Sequence, residues 1–481
     1  MRTLLLLAVI VPAFLLAIPI QFFALLVYVW FALAAPLEWV WTDFTPLRLS
    51  LILGVLVSLP RERLFRQFVP SGAPAGSLRG YGVPDVVHPL SVGMLLFLAT
   101  ALVAQIGAPS QAVGWTWLEY LIKMLLVCLT AVSLLSTERR LRWMIVAMVG
   151  SIALNSAKLG VAFVLSGGTL RTDEGLTGAF GDNNGFALAM AMALPMMIAA
   201  SQFSASWKVK LGWWGAAAAS VLALVATFSR GGFLALVGVT LTFIALQRRR
   251  VLGFTALALV VALALLVVPI PKSYTERLST IRTYEEVGET SAMSRIHLWA
   301  VAVDIVKAYP LGVGLFNYEV VYDRFDKTHG LYGHRRAVHS SHFQVLADQG
   351  YAGAVVWVLI FIAAFGIVFR VRARANAPGR SAESRQTLFS ASNALIASMA
   401  GFLVGGSFLS AALNEVTWLT FATIAALDIV SARPVEQAIA EPRDAPADGS
   451  GTPTSGAERF RGSYRRSAPG RPLTVMRDGR A

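Results

Sequence analysis

The chain has little cysteine and little charge. Cys128 is the only cysteine among 481 residues, which excludes an intrachain disulfide and a metal site built from cysteines. Asp, Glu, Lys and Arg together make up 14% of the chain, whereas an ordinary soluble domain carries about a quarter. The sequence is therefore not that of a typical soluble globular protein.

Long apolar runs take the place of the missing charge. Hydrophobic residues make up 56% of the chain, and residues 211–228 and 251–270 contain no charged residue. A helix needs about 20 apolar residues to cross the core of a bilayer, and these runs reach or approach that length. The sequence predicts an all-α polytopic membrane protein.

The apolar runs predict about 12–13 transmembrane helices. The spans are 2–18, 20–35, 47–60, 88–107, 116–135, 143–165, 185–203, 211–228, 231–247, 251–270, 341–369, 387–410 and 415–431. The first two are either separate short spans or one broken span. Residues 3–18 resemble the core of a signal peptide, but another apolar run follows at once without a cleavage pattern, so we interpret them as a retained anchor.

Basic clusters occupy alternate gaps between the spans, and the positive-inside rule makes those gaps cytoplasmic. The gaps 108–115, 166–184, 229–232, 271–340 and 411–414 then face outward.

Four segments are expected: helices with short loops over 1–270, a long outward loop over 271–340, helices over 341–431, and a tail over 432–481. The tail is rich in Pro, Gly, Ser and Arg, which predicts disorder. Together with the inner loops it explains the net charge of +14 without nucleic-acid binding.

Two outward gaps carry polar residues at the start of a span. In the 166–184 gap these are Arg171, Asp182, Asn183 and Asn184. They could cap the next helix, or bind substrate, because an outward helix N-terminus attracts anions. Arg230, in TFSRGG, stands alone between two spans. An arginine at membrane depth is either functional and paired or extends its charge to the interface.

The long loop contains SAMSRIHLWAVAVDIVKAYP, whose apolar spacing predicts an amphipathic helix at the membrane surface that ends before Pro310. The predicted apolar face comprises Ile296, Trp299, Ala300, Val303 and Val306. Arg295 falls in the first turn of this helix, where the helix dipole disfavours a cation, so we expect it to face an external anion. His297 is interpreted as a histidine on the helix surface.

The loop returns to the bilayer through RRAVHSSHFQVLADQGYAG, which contains His339 and His342. A zinc site would need further ligands within reach, whereas a general base needs one imidazole near a hydroxyl. A third interpretation is that the serines cap a helix and both histidines are incidental. Arg335 and Arg336 are either auxiliary phosphate contacts or solvated surface residues.

Three motifs together resemble the O-antigen ligase/polymerase superfamily. They are SRGG, the stretch SR-x-x-x-W with YP-LGVG-x-x-NY, and H-x-x-x-x-Q-x-L-A-x-x-G-x-x-G. Together with GDNNGFALAMAMALPM, these motifs are similar to the O-glycosylation ligase branch associated with the exosortase A system. The resemblance covers roughly residues 1–430.

The resemblance implies a GT-C-like glycosyltransferase of the bacterial cytoplasmic membrane with a periplasmic active face. It implies transfer of a glycan from an undecaprenyl-diphosphate carrier to an acceptor hydroxyl on a protein, lipid or polysaccharide. The family's functional positions fall on Arg230, Arg295 and His339, and His342 receives no catalytic role. Guanidinium groups bind phosphate oxygens bidentately, so no metal ion or cofactor is required if the arginines stabilise the leaving group.

Two alternatives remain open at this point. A glycan polymerase of the same superfamily would use the same donor with a lipid-linked glycan as acceptor. A transporter without covalent chemistry would show pseudo-repeats and broken helices in two corresponding halves, and the sequence shows neither pattern.

Overall fold

The computed structural model describes residues 2–36, 49–59, 87–172, 182–247, 249–255 and 290–433. Most of the predicted span 251–270, the long loop up to residue 289 and the tail from residue 434 lie outside these ranges. Within them the chain forms helices joined by turns, and the described residues contain no β-strand.

In chain order the helices are α1 (Arg2–Ala17), α2 (Gln21–Ala34), α3 (Leu49–Ser58), α4 (Pro89–Ile106), α5 (Gln111–Leu134), α6 (Glu138–Leu165), α7 (Asn183–Gln202), α8 (Trp207–Ala226), α9 (Arg230–Ala245), α10 (Thr290–Ala308), α11 (Tyr318–Phe325), α12 (Ser341–Arg374), α13 (Ala382–Gly406) and α14 (Glu415–Ser431). Among the described residues, seven helices are long and apolar enough to cross a membrane, namely α4 to α8, α12 and α13. The chain is a multi-pass α-helical membrane protein, as the apolar runs predict.

The number of spans stays a prediction, because residues 256–289 lie outside the described ranges. The first two predicted spans correspond to two separate helices, α1 and α2. The rings of Phe14 and Phe31 join these helices edge to face, with centroids 5.7 Å apart. Both helices are shorter than the usual membrane span of about 20 residues.

Small residues bring α7, α9 and α13 together. A Cβ at Gly232 would lie 2.4 Å from Cβ of Ala187, and a Cβ at Gly405 would lie 2.7 Å from Cβ of Ala235. Side chains of this size let helix backbones approach closely inside a membrane. Nearly all of α7 and α14 is buried, so these two helices form the centre of the bundle.

Two predicted boundaries are wrong near the polar ends of the helices. The predicted span 387–410 extends too far, because α13 ends at Gly406. The predicted turn Ser229–Gly232 is also misplaced: Ser229 is the N-cap of α9 and its hydroxyl accepts a hydrogen bond from Gly232 N at 3.0 Å. Arg230 is therefore the first residue of a helix rather than part of a loop.

A cluster of charged residues joins the ends of α12 and α14 to the start of α4. Asp428, near the end of α14, accepts hydrogen bonds from Arg370 at 3.0 Å and from Arg374 at 2.6 Å. His88, which caps the start of α4, lies 3.3 Å from the same carboxylate. Arg370 and Arg374, from one predicted cytoplasmic gap, thus gather with His88 at one end of the bundle. The orientation of the bundle in the membrane stays a prediction.

Helices α10 and α11 share a small core of their own. It is formed mainly by residues at helical spacing on α10 together with residues of α11, namely Leu298, Val301, Ala302, Ile305, Tyr318, Val321 and Tyr322. The predicted helix is present and ends before Pro310. Of its predicted apolar face, Val306 is buried within the protein, whereas Ile296 is 56% exposed. Contact of that face with the membrane surface stays a prediction.

Two glycine-bearing segments dock this unit onto α12. Gly314 N donates a hydrogen bond to Asp348 O at 2.8 Å, and Tyr351 N donates to Pro310 O at 3.1 Å. Gly350 has φ +69°, and a Cβ there would lie 2.2 Å from Pro310 O. The LGVG and LADQG motifs of the sequence are therefore two halves of one packing contact.

Candidate functional site

His339 lies at the end of the long loop, just before α12. Its backbone N donates a hydrogen bond to Ser410 Oγ at 3.0 Å, and its φ is +49°. The left-handed region costs a non-glycine residue roughly 1–2 kcal/mol, so the surrounding contacts hold the residue in this conformation. Such outliers cluster at functional sites.

The charge environment of His339 comes from three other segments. Burial lowers the pKa of the imidazole below its ordinary value, and the guanidinium groups of Arg336 and Arg295 lower it further. The carboxylate of Asp182 acts in the opposite direction. The balance favours the neutral imidazole, which is the form that accepts a proton.

His342 has a structural environment. Its Nδ1 accepts a hydrogen bond from Trp357 Nε1 at 3.1 Å, and its Nε2 lies 3.2 Å from Leu403 O. Both ring nitrogens are thus occupied within the helix bundle. This arrangement agrees with giving His342 no catalytic role.

The two serines between the histidines start α12 and fix a neighbouring turn. Ser340 is the N-cap and accepts a hydrogen bond from Phe343 N. Ser341 Oγ donates to Leu409 O at 2.7 Å and accepts from Ala411 N at 3.0 Å. The helix-start interpretation is confirmed for Ser340, and it is compatible with a separate role for His339.

Arg295 lies on α10 beside the turn that follows α13. Its guanidinium carbon lies 5.7 Å from the centre of the Phe408 ring. The expected first-turn position is wrong, because α10 begins at Thr290 and Arg295 lies in its second turn. The helix-dipole argument therefore does not apply to Arg295. The Arg295 guanidinium still lowers the pKa of His339, which indicates that it lies near the imidazole.

The dipole argument applies instead to Arg230. This residue is the first of α9 and is exposed, and a cation at that position is disfavoured. A Cβ on the adjacent Gly231 would lie 3.4 Å from Cβ of Phe408. Arg230 is therefore at the same end of the bundle as Arg295, next to the same turn.

Asp182, Asn183 and Asn184 all have partners within the protein. Asp182 Oδ1 accepts hydrogen bonds from Asn184 N and Gly185 N, both at 2.8 Å. Asn183 Nδ2 donates to Thr227 O at 3.0 Å, and Asn184 Oδ1 accepts from Ser229 Oγ at 2.7 Å. The capping interpretation is confirmed for Asp182, and the asparagines join α7 to the turn before α9.

Three other candidate arginines lie around these elements. The Arg171 guanidinium carbon lies 5.5 Å from the centre of the Phe228 ring, which precedes Ser229. Arg335 N donates to Asp323 Oδ1 at 3.1 Å, while Arg336 acts on His339. The two adjacent arginines thus differ, since only Arg336 influences the imidazole.

His297 is half-buried rather than a surface histidine. Its Nε2 lies 2.8 Å from Asp326 Oδ1, which joins α10 to the end of α11. Burial raises the pKa of Asp326, but hydrogen bonds from Thr328, Gly330 and His297 outweigh it and hold that pKa below its usual range. His297 therefore stabilises the α10–α11 unit.

Sequence reasoning missed Phe408 and Ser410, which contact Arg295 and His339. A phenylalanine and a serine at the end of an apolar run carry no signal of a site. Among the described residues, no group of three or more His, Cys, Asp or Glu side chains could hold a metal ion.

Residues 215–358 match a family model described as O-antigen ligase. The matched range extends from α8 into α12 and includes Arg230, Arg295 and His339. This stretch, less than a third of the chain, is therefore similar to the O-antigen ligase family. No curated protein matches the chain.

Proposed function

We propose that this protein is a glycan ligase of the O-glycosylation or O-antigen type, closest to the exosortase A-associated branch. It transfers an oligo- or polysaccharide from undecaprenyl diphosphate to an acceptor hydroxyl. The reaction takes place on the periplasmic side of the bacterial cytoplasmic membrane. The observation that carries the proposal is the turn after α13, which contacts both His339 and Arg295: His339 N donates to Ser410 Oγ at 3.0 Å, and the Arg295 guanidinium carbon lies 5.7 Å from the Phe408 ring centre.

A diphosphate-linked substrate fits the electrostatics of this end of the bundle. Helices α7, α9 and α12 begin here, each with a capping side chain at its N-terminus. Helix N-termini carry partial positive charge and bind phosphate groups. Arg295 and Arg336 add full charges near His339, and Arg230 adds another at the start of α9.

In the proposed reaction, the acceptor oxygen forms a bond to the anomeric carbon of the glycan. The bond between that carbon and the diphosphate oxygen breaks, and its electron pair leaves with undecaprenyl diphosphate. The acceptor's proton passes to the imidazole of His339. Charge develops on the diphosphate, where Arg230 and Arg295 stabilise it. In comparable sites one such donor contributes about 3–4 kcal/mol to the transition state.

The remaining predicted residues receive supporting roles in this proposal. Arg336 is an auxiliary phosphate contact, and Arg171 lies beside the turn that precedes α9. Asp182 partly offsets the lowering of the His339 pKa by burial and by the arginines. Asn183, Asn184 and Arg335 are assigned to the rim of the substrate site. The chemistry requires no metal ion or cofactor.

The test uses purified protein in proteoliposomes with a labelled undecaprenyl-diphosphate glycan and protein, lipid or polysaccharide acceptors. We expect the label to leave the carrier lipid, to become covalently attached to an acceptor, and to do so equally well with a chelator present. A ladder of label that stays on the carrier lipid identifies a polymerase. Movement of intact lipid across the bilayer identifies a transporter. Loss of transfer with the chelator contradicts the metal-independent mechanism.

A further inference from the structure

The turn that follows α13 contacts three elements that bear proposed site residues. Phe408 faces Arg295 on α10, Ser410 accepts a hydrogen bond from the backbone of His339, and Phe408 and Leu409 pack on Gly231. The turn itself contains no ionisable side chain. Its position between these elements makes it a candidate for orienting the groups that do the chemistry.

The ring of Phe408 contacts the guanidinium group of Arg295. The guanidinium carbon lies 5.7 Å from the ring centre, within the range of a cation–π interaction. The ring also lies 6.2 Å from that of Trp299 on the same helix. On its other side, Cβ of Phe408 would lie 3.4 Å from a Cβ at Gly231. Phe408 thus lies between α9 and α10, with its ring on the α10 side.

Ser410 holds His339 through the backbone. Its hydroxyl accepts the hydrogen bond from His339 N at 3.0 Å, at a residue whose φ is +49°. Ser341 fixes the turn from the other side by bonding Leu409 O and Ala411 N. The position of the imidazole is therefore coupled to the position of the turn.

We propose that residues 408–411 form a clamp that sets the distance between Arg295 and His339, with Phe408 and Ser410 as positioning residues. The inference rests on the proposed ligase function. Neither side chain exchanges a proton or binds the phosphate. Each keeps a reacting group in the geometry that the transition state requires, where a displacement of about 1 Å can lower the rate by about 100-fold.

The first experiment compares Phe408→Leu with Phe389→Leu. Phe389 is a matched control, since it is also half-buried on the α13 segment and lies 5.0 Å below Arg372 at the other end of the bundle. We expect Phe408→Leu to lower kcat by about 3- to 10-fold with little change in the KM for acceptor. Phe408→Tyr should retain wild-type activity, and Phe389→Leu should leave kcat unchanged.

A second variant separates ring electrostatics from packing. Pentafluorophenylalanine at position 408 keeps the shape of the ring and reverses its charge distribution, so it disfavours a cation over the ring face. We expect it to lower kcat as Phe408→Leu does. Retention of full kcat by both variants overturns the role of Phe408.

The third comparison is Ser410→Ala against Ser407→Ala. Ser407 Oγ donates only to Leu403 O in its own helical turn, so it is a control in the same segment. We expect Ser410→Ala to lower kcat by about tenfold and to move the acidic limb of the pH–rate profile to higher pH, because the released imidazole becomes more hydrated. Ser410→Thr should restore both properties. An unchanged pH profile in Ser410→Ala overturns the role of Ser410.

The clamp and the proposed function can fail separately. If Arg295→Ala and His339→Ala transfer glycan at the wild-type rate, the ligase site itself is wrong. If those variants lose transfer while Phe408→Leu and Ser410→Ala behave like their controls, the ligase site stands and the clamp is wrong. Thermal unfolding of each purified variant shows that the compared proteins are folded.

Discussion

Trp357 Nε1 donates a hydrogen bond to His342 Nδ1 at 3.1 Å, and this single contact decides the tautomer of the ring. Nε2 then carries the hydrogen and donates to Leu403 O at 3.2 Å. His342 therefore joins α12 and α13. It lies three residues after His339, on which Arg336 and Arg295 act.

We predict that His342→Leu lowers stability and spares activity. Both hydrogen bonds of the ring are lost, and each such bond in a membrane helix bundle contributes about 0.6 kcal/mol. Thermal unfolding in detergent should therefore show destabilisation of about 1 kcal/mol. Transfer per folded molecule should remain within about twofold of wild type, and a loss as large as that of His339→Ala would contradict the assignment.

Arg336→Gln should move the acidic limb of the pH–rate profile to higher pH. The Arg336 guanidinium holds the pKa of His339 below its ordinary value, so its removal raises that pKa. The neutral imidazole is the active form, so activity near pH 6 should fall relative to the plateau near pH 8. The plateau itself should fall modestly, because Arg336 is also a proposed phosphate contact. Arg335→Gln is the control, because the Arg335 guanidinium acts on Glu319 rather than on His339. Equal shifts in both variants would show that the effect is only a change in net charge.

Asp182→Asn should produce the opposite shift. The Asp182 carboxylate opposes the lowering of the His339 pKa, so its loss moves the acidic limb to lower pH. Asparagine caps helices as well as aspartate does, which keeps α7 intact. A shift to higher pH would contradict the proposed electrostatics.

Gly350→Ala should severely destabilise the protein. Gly350 has φ +69°, and a Cβ there would lie 2.2 Å from Pro310 O, so the α10–α11 unit could not dock on α12. With ψ −167°, Gly350 lies in a backbone region essentially restricted to glycine, which costs alanine about 1–3 kcal/mol. Gly366→Ala, in the same helix and with open space around the Cβ position, should leave the unfolding temperature unchanged or raise it. Equal stability of the two variants would refute the docking contact.

The apolar runs of the sequence predicted the seven long apolar helices α4 to α8, α12 and α13, because a membrane span leaves a signal of about 20 residues. Boundaries were less predictable. Ser407 to Ser410 continue the apolar pattern of α13 although they form a turn, and Arg230 lies inside α9 because Ser229 caps it. Caps and turns depend on local hydrogen bonds that hydropathy does not report.

The proposed site could be picked out from sequence where an ionisable residue borders an apolar run, as with Arg230, Arg295 and His339, whose roles stay proposals. Sequence could not identify the residues that hold these candidates in place through an apolar or small side chain. Phe408 and Ser410 become visible only when distant segments meet, and the buried face of α10 depends on contact with α11. Leu298 and Ile296 are equally apolar in sequence, yet only Leu298 is buried.

The central claim is that the His339 imidazole takes part in glycan transfer beside Arg295. The most direct measurement is the initial rate of transfer from a labelled undecaprenyl-diphosphate glycan by wild type, His339→Ala and Arg295→Ala in proteoliposomes, with His342→Leu as the matched control. We predict that His339→Ala and Arg295→Ala lose at least about 100-fold in rate while His342→Leu retains activity. Full transfer by His339→Ala and Arg295→Ala would contradict the account.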